Sequence, residues 1–266
     1  PEVIFPEGKG RRFWNWKSKL AHRQADFIMT VSEHARRSII RVFGHKPERV
    51  IVVDEAPEPI FRKLEEREID RQITARYRAP EAPFLIYVGG INPHKNLPAL
   101  IDALAAIRDE RHESVDLLIV GELDTERFTP GLRQVREKIA ALSMQNDVIF
   151  AGRVDDNDLV HLLNAASALV LPSLAEGFGL PAIEAAACGT PVIATRNSPL
   201  PDLLGDGGIW VDPLSAIELR EGLRKILDDS AARDLMGAIA HERAARLSWE
   251  ASARQLQDLF REAGRR

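Results

Sequence analysis

From Phe84 onward, short apolar runs alternate with stretches of helical spacing. Phe84 to Val88 (FLIYV) is apolar throughout and stops at Gly89-Gly90. Leu97, Leu100, Ile101, Leu104 and Ile107 then recur at helical intervals, which predicts a helix over 97–107. The alternation continues, with strands at 116–120 (DLLIV, closed by Gly121), 148–150 (ending at Gly152), 168–171, 191–194 and 209–211. Between them lie helices near 132–142 and over 155–166, the latter turning Leu159, Leu162 and Leu163 inward. The strands are continuously apolar and do not alternate, as expected when helices cover both faces of a parallel sheet. Alternating β and α elements of this length predict a doubly wound α/β domain.

The first 60 residues read differently. ADFIMTV (25–31) predicts a strand, Ser32 a cap for a helix over 33–43, and 49–53 a second strand. Two or three elements are too few for a self-standing domain of this type, which usually needs about 100 residues. They read as the end of a first domain, residues 1–62, whose earlier part is expected to be absent. Pro57, Pro59 and the charged stretch 62–70 predict an interdomain connection over 63–80. The sheet domain then spans 81–246. Leu256, Leu259 and Phe260 predict an amphipathic helix in the final segment, 247–266, packing back toward the first domain.

Composition narrows the class. The 266 residues are 45 % hydrophobic and 29 % charged, with a formal net charge of −4. No global charge draws the chain to nucleic acid, so no nucleic-acid partner is expected. The single cysteine, Cys188, rules out an internal disulfide and fits a reducing compartment. No run of about 18 apolar residues occurs, and no signal-peptide pattern is visible, so neither a membrane span nor a signal peptide is expected. A cytoplasmic location is expected, with peripheral contact at the inner membrane face kept open by the basic aromatic stretch Lys9 to Lys17 (KGRRFWNWK).

The chemistry concentrates between Glu176 and Glu184. The segment EGFGLPAIE follows a strand and opens a helix. Pro181 suits the first helical position and Gly189 the C-terminal stop. Gly177 and Gly179 allow a tight turn and close approach of a ligand to the backbone. The free N–H groups of Gly179 and Leu180, with the helix dipole, predict an anion site. Glu184 is expected in the first helical turn, where a carboxylate gains about 0.3–1 kcal/mol. It is not a capping-box glutamate, because Pro181 stands where Ser or Thr would be required. A carboxylate beside bound phosphates needs hydroxyl donors, and a ribose diol supplies two. Glu176, on the preceding loop, is placed to reach sugar hydroxyls.

Glu176 and Glu184 together match the E-x7-E signature, and EGFGLPAIEAAACGTPVIA resembles the retaining GT-B glycosyltransferases of family 4, group 1. VGGINPHKN (88–96) resembles that family's first donor-domain loop. FAGRVDDNDLVHLLNAASALVLPS and PDLLGDGGIWVDP are similar to the stretches flanking the acid motif. ADFIMTVSEHARRSII and ERVIVVDEAPEPIF are similar to the end of the first domain. The resemblance covers roughly residues 20–260. It implies a GT-B fold with a complete Rossmann-like C-terminal donor domain, a parallel sheet, and the remnant of an N-terminal Rossmann-like domain.

The resemblance also implies roles. Glu184 would hold the donor ribose and Glu176 the transferred sugar. Phe178, Gly179 and Leu180 would offer N–H groups to the diphosphate, with Gly89, Gly90 and Gly177 shaping the donor loops. Lys95 would neutralise charge on the leaving diphosphate, so that neither a metal nor a cofactor is needed. Glu176 and Lys95 are thus the expected catalytic residues, with Glu176 not a covalent nucleophile. Many relatives carry arginine where Gly90 stands. Arg153 either replaces it in part or points to solvent, and Val154 would border the nucleobase with Gly152. GDP-mannose or a UDP-sugar is the expected donor, with the NPHKN loop favouring the former. A glycan, a lipid-linked sugar or a small molecule is the expected acceptor. His94 lines the loop without an assigned role, and His22 and His161 read as ordinary helix residues.

Two other readings compete. Gly177, Gly179 and Ala182 also fit a relaxed dinucleotide fingerprint, with Arg196 suited to a 2′-phosphate. That fingerprint belongs at the first βα turn, whereas this one follows the fourth strand and carries Pro181 inside it. The second alternative is a module that binds the nucleotide sugar without turnover.

Overall fold

The structure is a computed structural model that describes residues 9–80, 83–111, 115–123 and 131–264. The chain divides into two compact units: Pro1–Ala56 with Leu247–Arg266, and Pro57–Arg246.

The smaller unit begins with α1 (Lys9–Gln24), β1 (Ile28–Thr30), α2 (Glu33–Phe43) and β2 (Val50–Val52). The two strands are parallel, with Ile28 opposite Val50. Both are shorter than their apolar runs, because a two-stranded ribbon pairs only where the strands run side by side. Ser32 caps α2, its Oγ accepting from Ala35 N at 3.0 Å. His22 is not an ordinary helix residue. Its Nδ1 lies 2.9 Å from His45 Nε2, and its ring stacks on Phe43 at 3.8 Å. Burial, and then the neighbouring His45, hold its pKa below the ordinary value.

In the larger unit, residues 63–80 carry structure of their own. α3 (Arg71–Arg76) is capped by Asp70, whose Oδ1 accepts from Gln72 N at 2.8 Å. Arg76 Nη1 and Tyr77 OH both donate to Asp158 Oδ2, at 2.9 and 2.7 Å. His161 joins the same packing, accepting from Asp70 N at 3.2 Å.

The chain then alternates through β3 (Phe84–Val88), α4 (Leu97–Arg111), β4 (Asp116–Val120), α5 (Leu132–Ala141), β5 (Val148–Gly152), α6 (Asp156–Ala165) and β6 (Ala168–Leu171). It continues through α7 (Leu180–Ala187), β7 (Val192–Thr195), α8 (Leu200–Leu204), β8 (Gly208–Val211), α9 (Ala216–Asp228) and α10 (Ser230–Ala244). The last helix, α11 (Trp249–Ala263), belongs to the smaller unit. There Ser252 Oγ donates to Asp54 O at 2.6 Å and Gln255 Nε2 to Val52 O at 2.7 Å. No helix among the described residues is long and apolar enough to cross a membrane.

All pairings in the six-stranded sheet are parallel, in the order β5-β4-β3-β6-β7-β8. β6 and β7 are buried from end to end, and β3 and β4 all but one terminal residue each, because helices cover them, which is why their sequences do not alternate. Leu97, Leu100, Ile101, Leu104 and Ile107, the predicted inner face of α4, are all at most 1 % exposed. β5 runs two residues past its apolar run, to Gly152, by pairing with Val120 after a register shift. From β3 the chain winds outward to β5, then returns to β6 on the other side of β3. The loops leaving β3 and β6 therefore diverge and open a crevice at the carboxyl ends of the strands.

Glycines set how closely the strand ends approach beside that crevice. Gly89 N donates to Val120 O at 2.9 Å, and Gly121 N to Gly152 O at 3.0 Å. A Cβ on Gly121 would stand 2.2 Å from Gly89 O. Neither group is a flexible side chain, so a backbone must move. Gly121→Ala is expected to destabilise the protein by about 1–3 kcal/mol. Thermal denaturation checks this, and an unchanged midpoint would mean that the two strand ends part freely.

Candidate functional site

The loop after β3 leaves the sheet through Gly89, whose φ of +146° favours glycine. Tyr87, fully buried in β3, donates its hydroxyl to Gly90 O at 2.8 Å and fixes the loop's first bend. Burial, and then the nearby Glu176 charge, raise the Tyr87 phenol above its ordinary pKa, so it stays a donor. A 3₁₀ turn at Pro93–Lys95 follows. It ends at Asn96, in the left-handed region at φ 57°.

The loop after β6 begins at Pro172 and the fully buried Ser173, and runs to Gly179. Gly179 holds the N-cap of α7 at φ 90°, with no side-chain capping bond. Its missing Cβ would lie 3.0 Å from Leu200 Cδ1, so the position is held to glycine by conformation and by space. Pro181 takes the second helical position, one later than expected, because Leu180 already turns into the helix. Among the described residues, no group accepts a hydrogen bond from the N–H of Phe178, Gly179 or Leu180. These N–H groups meet the positive end of the α7 dipole.

The two loops meet at a charge pair. Lys95 Nζ lies 2.7 Å from Glu176 Oε1, and Ser173 Oγ donates to the same oxygen at 2.6 Å. The side chains of Lys95 and Glu176 are only 18 % and 11 % exposed, so the pair is largely desolvated. Backbone bonds hold its frame, with Leu174 N donating to His94 O at 2.8 Å and Glu176 N to Asn197 O at 3.1 Å. Asn197 Nδ2 returns to Leu174 O at 2.8 Å. Asn96 Nδ2 reaches Pro172 O at 3.2 Å and Pro213 O at 2.8 Å, bridging the loops after β6 and β8. Burial, and then the Lys95 charge, lower the His94 pKa, so its ring is neutral at pH 7.

Glu184 is the second acid, and its position differs from the expectation. The helix starts at Leu180, so Glu184 falls in the second turn, beyond the reach of first-turn dipole stabilisation. Its carboxyl pKa is pushed up to about 7, by burial first, then by Asp156 and Glu58. No hydrogen bond or ion pair satisfies this carboxyl among the described residues. A half-buried, half-neutral acid without a hydrogen-bond partner among the described residues is a ready ligand for hydroxyl groups.

The remaining expected residues lie farther out. Arg153 is exposed on the loop after β5, at the sheet edge and two strands from β3. Val154 beside it is buried, and Gly152 takes a φ of +74°. Gly90 has a negative φ and open space except for Asn92 Nδ2, 3.1 Å from a built Cβ. Ser173, Asn96 and Asn197 were not singled out in the sequence. Ser173 lies three residues before Glu176, and Asn96 directly follows Lys95, but neither spacing declares a bond. Among the described residues no group of three or more His, Cys, Asp or Glu side chains is placed to hold a metal ion.

Residues 67–243, the whole of this site included, match the family model described as "Glycosyl transferases group 1". The chain belongs to that family. It is similar to O-antigen chain mannosyltransferase B of Escherichia coli, 29 % identical over 226 residues, which are 85 % of this chain and 58 % of that protein. The chain therefore spans somewhat over half the length of this relative. Sucrose-phosphate synthase from Thermosynechococcus elongatus superposes with a TM-score of 0.80 at 28 % identity, covering 92 % of this chain and 60 % of that one. The Anabaena protein HepE, solved in complex with UDP and glucose, gives a TM-score of 0.82 at 21 % identity, over 98 % of this chain and 70 % of that one. The group 1 chain thus has the α/β GT-B glycosyltransferase fold with its parallel sheet. This also disposes of the dinucleotide reading, since Gly177 and Gly179 follow the fourth strand of the sheet domain in a group 1 glycosyl transferase.

Proposed function

We propose that the protein is a retaining glycosyltransferase of family 4 that transfers a sugar from a nucleotide-sugar donor to a hydroxyl acceptor. One observation carries the reading. Along the chain, three N–H groups at the start of α7, without acceptors among the described residues, follow Glu176 of the desolvated Lys95–Glu176 pair and precede Glu184, whose carboxyl has no partner among those residues. That sequence of groups suits, in order, a sugar, a diphosphate and a ribose. The names of the mannosyltransferase relative and of the UDP-bound neighbour support a nucleotide-sugar donor, with GDP-mannose or a UDP-sugar as the class.

In this reading the larger unit holds the donor. The diphosphate takes the N–H groups of Phe178, Gly179 and Leu180, with Gly89, Gly90 and Gly177 allowing its approach. Val154 borders the base, and Arg153 contributes only long-range charge. As the bond from the sugar C1 to the phosphate oxygen breaks, the electron pair stays on the diphosphate. Lys95 and the N–H groups stabilise that developing charge more than they stabilise the ground state. This positive charge stands in for a metal ion. Glu176 is engaged by Lys95 and Ser173, so it orients sugar hydroxyls and does not attack C1. The acceptor oxygen bonds to C1 on the face the diphosphate leaves, and its proton passes to the departing phosphate oxygen. The acceptor is a glycan, a lipid-linked sugar or a small molecule.

Incubation with GDP-mannose or UDP-glucose in excess chelator tests this. Nucleoside diphosphate release and a product with the donor's own anomeric configuration, read by proton NMR, are expected. An inverted product would refute retention, and loss of activity with chelator would refute metal independence. Nucleotide binding without any turnover would reduce the protein to a binding module.

A further inference from the structure

The geometry points to Asn96 as a positioning residue for Lys95, and we propose that nucleoside diphosphate affinity depends on the bridge its side-chain amide makes. This rests on the reading of Lys95 as a diphosphate ligand. Lys95 ends a single 3₁₀ turn, a short element with little rigidity of its own. What holds that turn against the α7 side of the crevice is a small set of bonds. One is backbone to backbone, from Leu174 N to His94 O. Besides the Lys95–Glu176 pair itself, the others among the described residues come from one side chain. Asn96 Nδ2 donates to Pro172 O, where β6 ends, and to Pro213 O, past the end of β8. One amide group thus ties the lysine's loop to the loops of two other strands.

The backbone of Asn96 argues that the amide itself matters. At φ 57° and ψ 30° this residue lies in the left-handed region, where glycine is the easiest occupant. Asparagine tolerates that conformation but gains nothing from it over glycine. Its contribution is the pair of hydrogen bonds. Asn197 performs the matching task on the opposite side, holding Leu174 and Glu176. The Lys95–Glu176 distance of 2.7 Å is therefore set from both sides of the crevice before any ligand arrives. The hydrogen bonds of the Asn96 amide go to Pro172 O and Pro213 O and not to Lys95 or Glu176, so in this proposal it acts through the lysine beside it.

Asn96→Gly keeps the backbone conformation and removes both bonds. Calorimetric titration with GDP and with UDP should give a Kd about 10-fold weaker for this variant than for the unaltered protein, for whichever nucleotide binds. Asn96→Asp cannot donate and sets a carboxylate against two carbonyl oxygens, so it should be weaker still. The decisive comparison is the double variant. If Asn96 acts through Lys95, then Lys95→Ala with Asn96→Gly binds no more weakly than Lys95→Ala alone. Thermal denaturation accompanies each titration, and Asn96→Gly should unfold within a few degrees of the unaltered protein. An Asn96→Gly variant with unchanged Kd, or one whose effect multiplies with that of Lys95→Ala, overturns the inference and leaves the reading of Lys95 intact. Undiminished binding by Lys95→Ala overturns both.

Discussion

Lys95→Ala is expected to lower sugar transfer about 100- to 1000-fold, the effect of removing one preorganised group that stabilises leaving-group charge. The same change should also destabilise the protein. Glu176 Oε1 accepts from Lys95 Nζ and from Ser173 Oγ, and the Glu176 side chain is only 11 % exposed. Without the lysine, a desolvated carboxylate keeps a hydroxyl donor but loses its counter-charge. A loss of about 1–3 kcal/mol follows, the usual cost of stranding a buried polar group. The two effects are separable. Adding Glu176→Gln to Lys95→Ala removes the stranded charge and should restore the melting temperature while leaving transfer abolished. Lys95→Arg is not a conservative control, since a planar fork replaces a compact point charge in a closely packed pair. Transfer rates and melting curves of the three variants check the prediction. Full activity in Lys95→Ala would remove the lysine from the chemistry.

Glu184→Gln is expected to stabilise the ligand-free protein in a pH-dependent way while weakening nucleotide binding. The sign follows from the direction of the shift. The folded-state carboxyl is pushed up to about 7 from an ordinary 4.5. Between those values the folded protein keeps a proton that the unfolded chain has released. Stability therefore falls as pH rises through this window, and the full penalty stands above pH 7. It amounts to at most about 3 kcal/mol. Glutamine carries no such penalty. The variant should melt near the unaltered protein at pH 5 and roughly 5 °C higher at pH 8. Its nucleotide affinity should fall about 10-fold or more, because a neutral amide replaces a charged acceptor of ribose hydroxyls. Equal melting of the two proteins at pH 8 would mean that the carboxyl is solvated. Equal affinity would mean that the ribose binds elsewhere.

The acid that costs stability is the one assigned to the ligand, and the sequence offered only part of that. The strands of the sheet were legible because burial on both faces leaves an uninterrupted apolar run, as in FLIYV and ALVL. The turn from β6 into α7 was legible because Gly177, Gly179 and Pro181 announce a strand-to-helix turn. The depth of Glu184 was not. Its place in the second turn follows from Leu180 entering the helix, and its raised pKa from burial first, then from Asp156 and Glu58, which are distant in the chain. The 63–80 segment looked like a connection because it is charged. Yet Arg76 and Tyr77 spend their polar groups on Asp158, which is about 80 residues away and inside α6. The His22–His45 pair and the bridges of Asn96 and Asn197 were equally hidden, since a side-chain bond between loops leaves no periodicity. Arg153 was open between a partial replacement for the missing arginine and a solvent-facing residue, because the sequence does not show that its strand lies at the sheet edge.

The proposal that a nucleoside diphosphate sits on the N-terminus of α7 is tested most directly by amide NMR. ¹⁵N-labelled protein is titrated with GDP and with UDP in the presence of chelator, and the resonances of Phe178, Gly179 and Leu180 are followed. At least one of the two nucleotides should shift these three amides, and the shifts should be lost or greatly weakened in Lys95→Ala. Binding that leaves the three amides unmoved would contradict the proposed site outright.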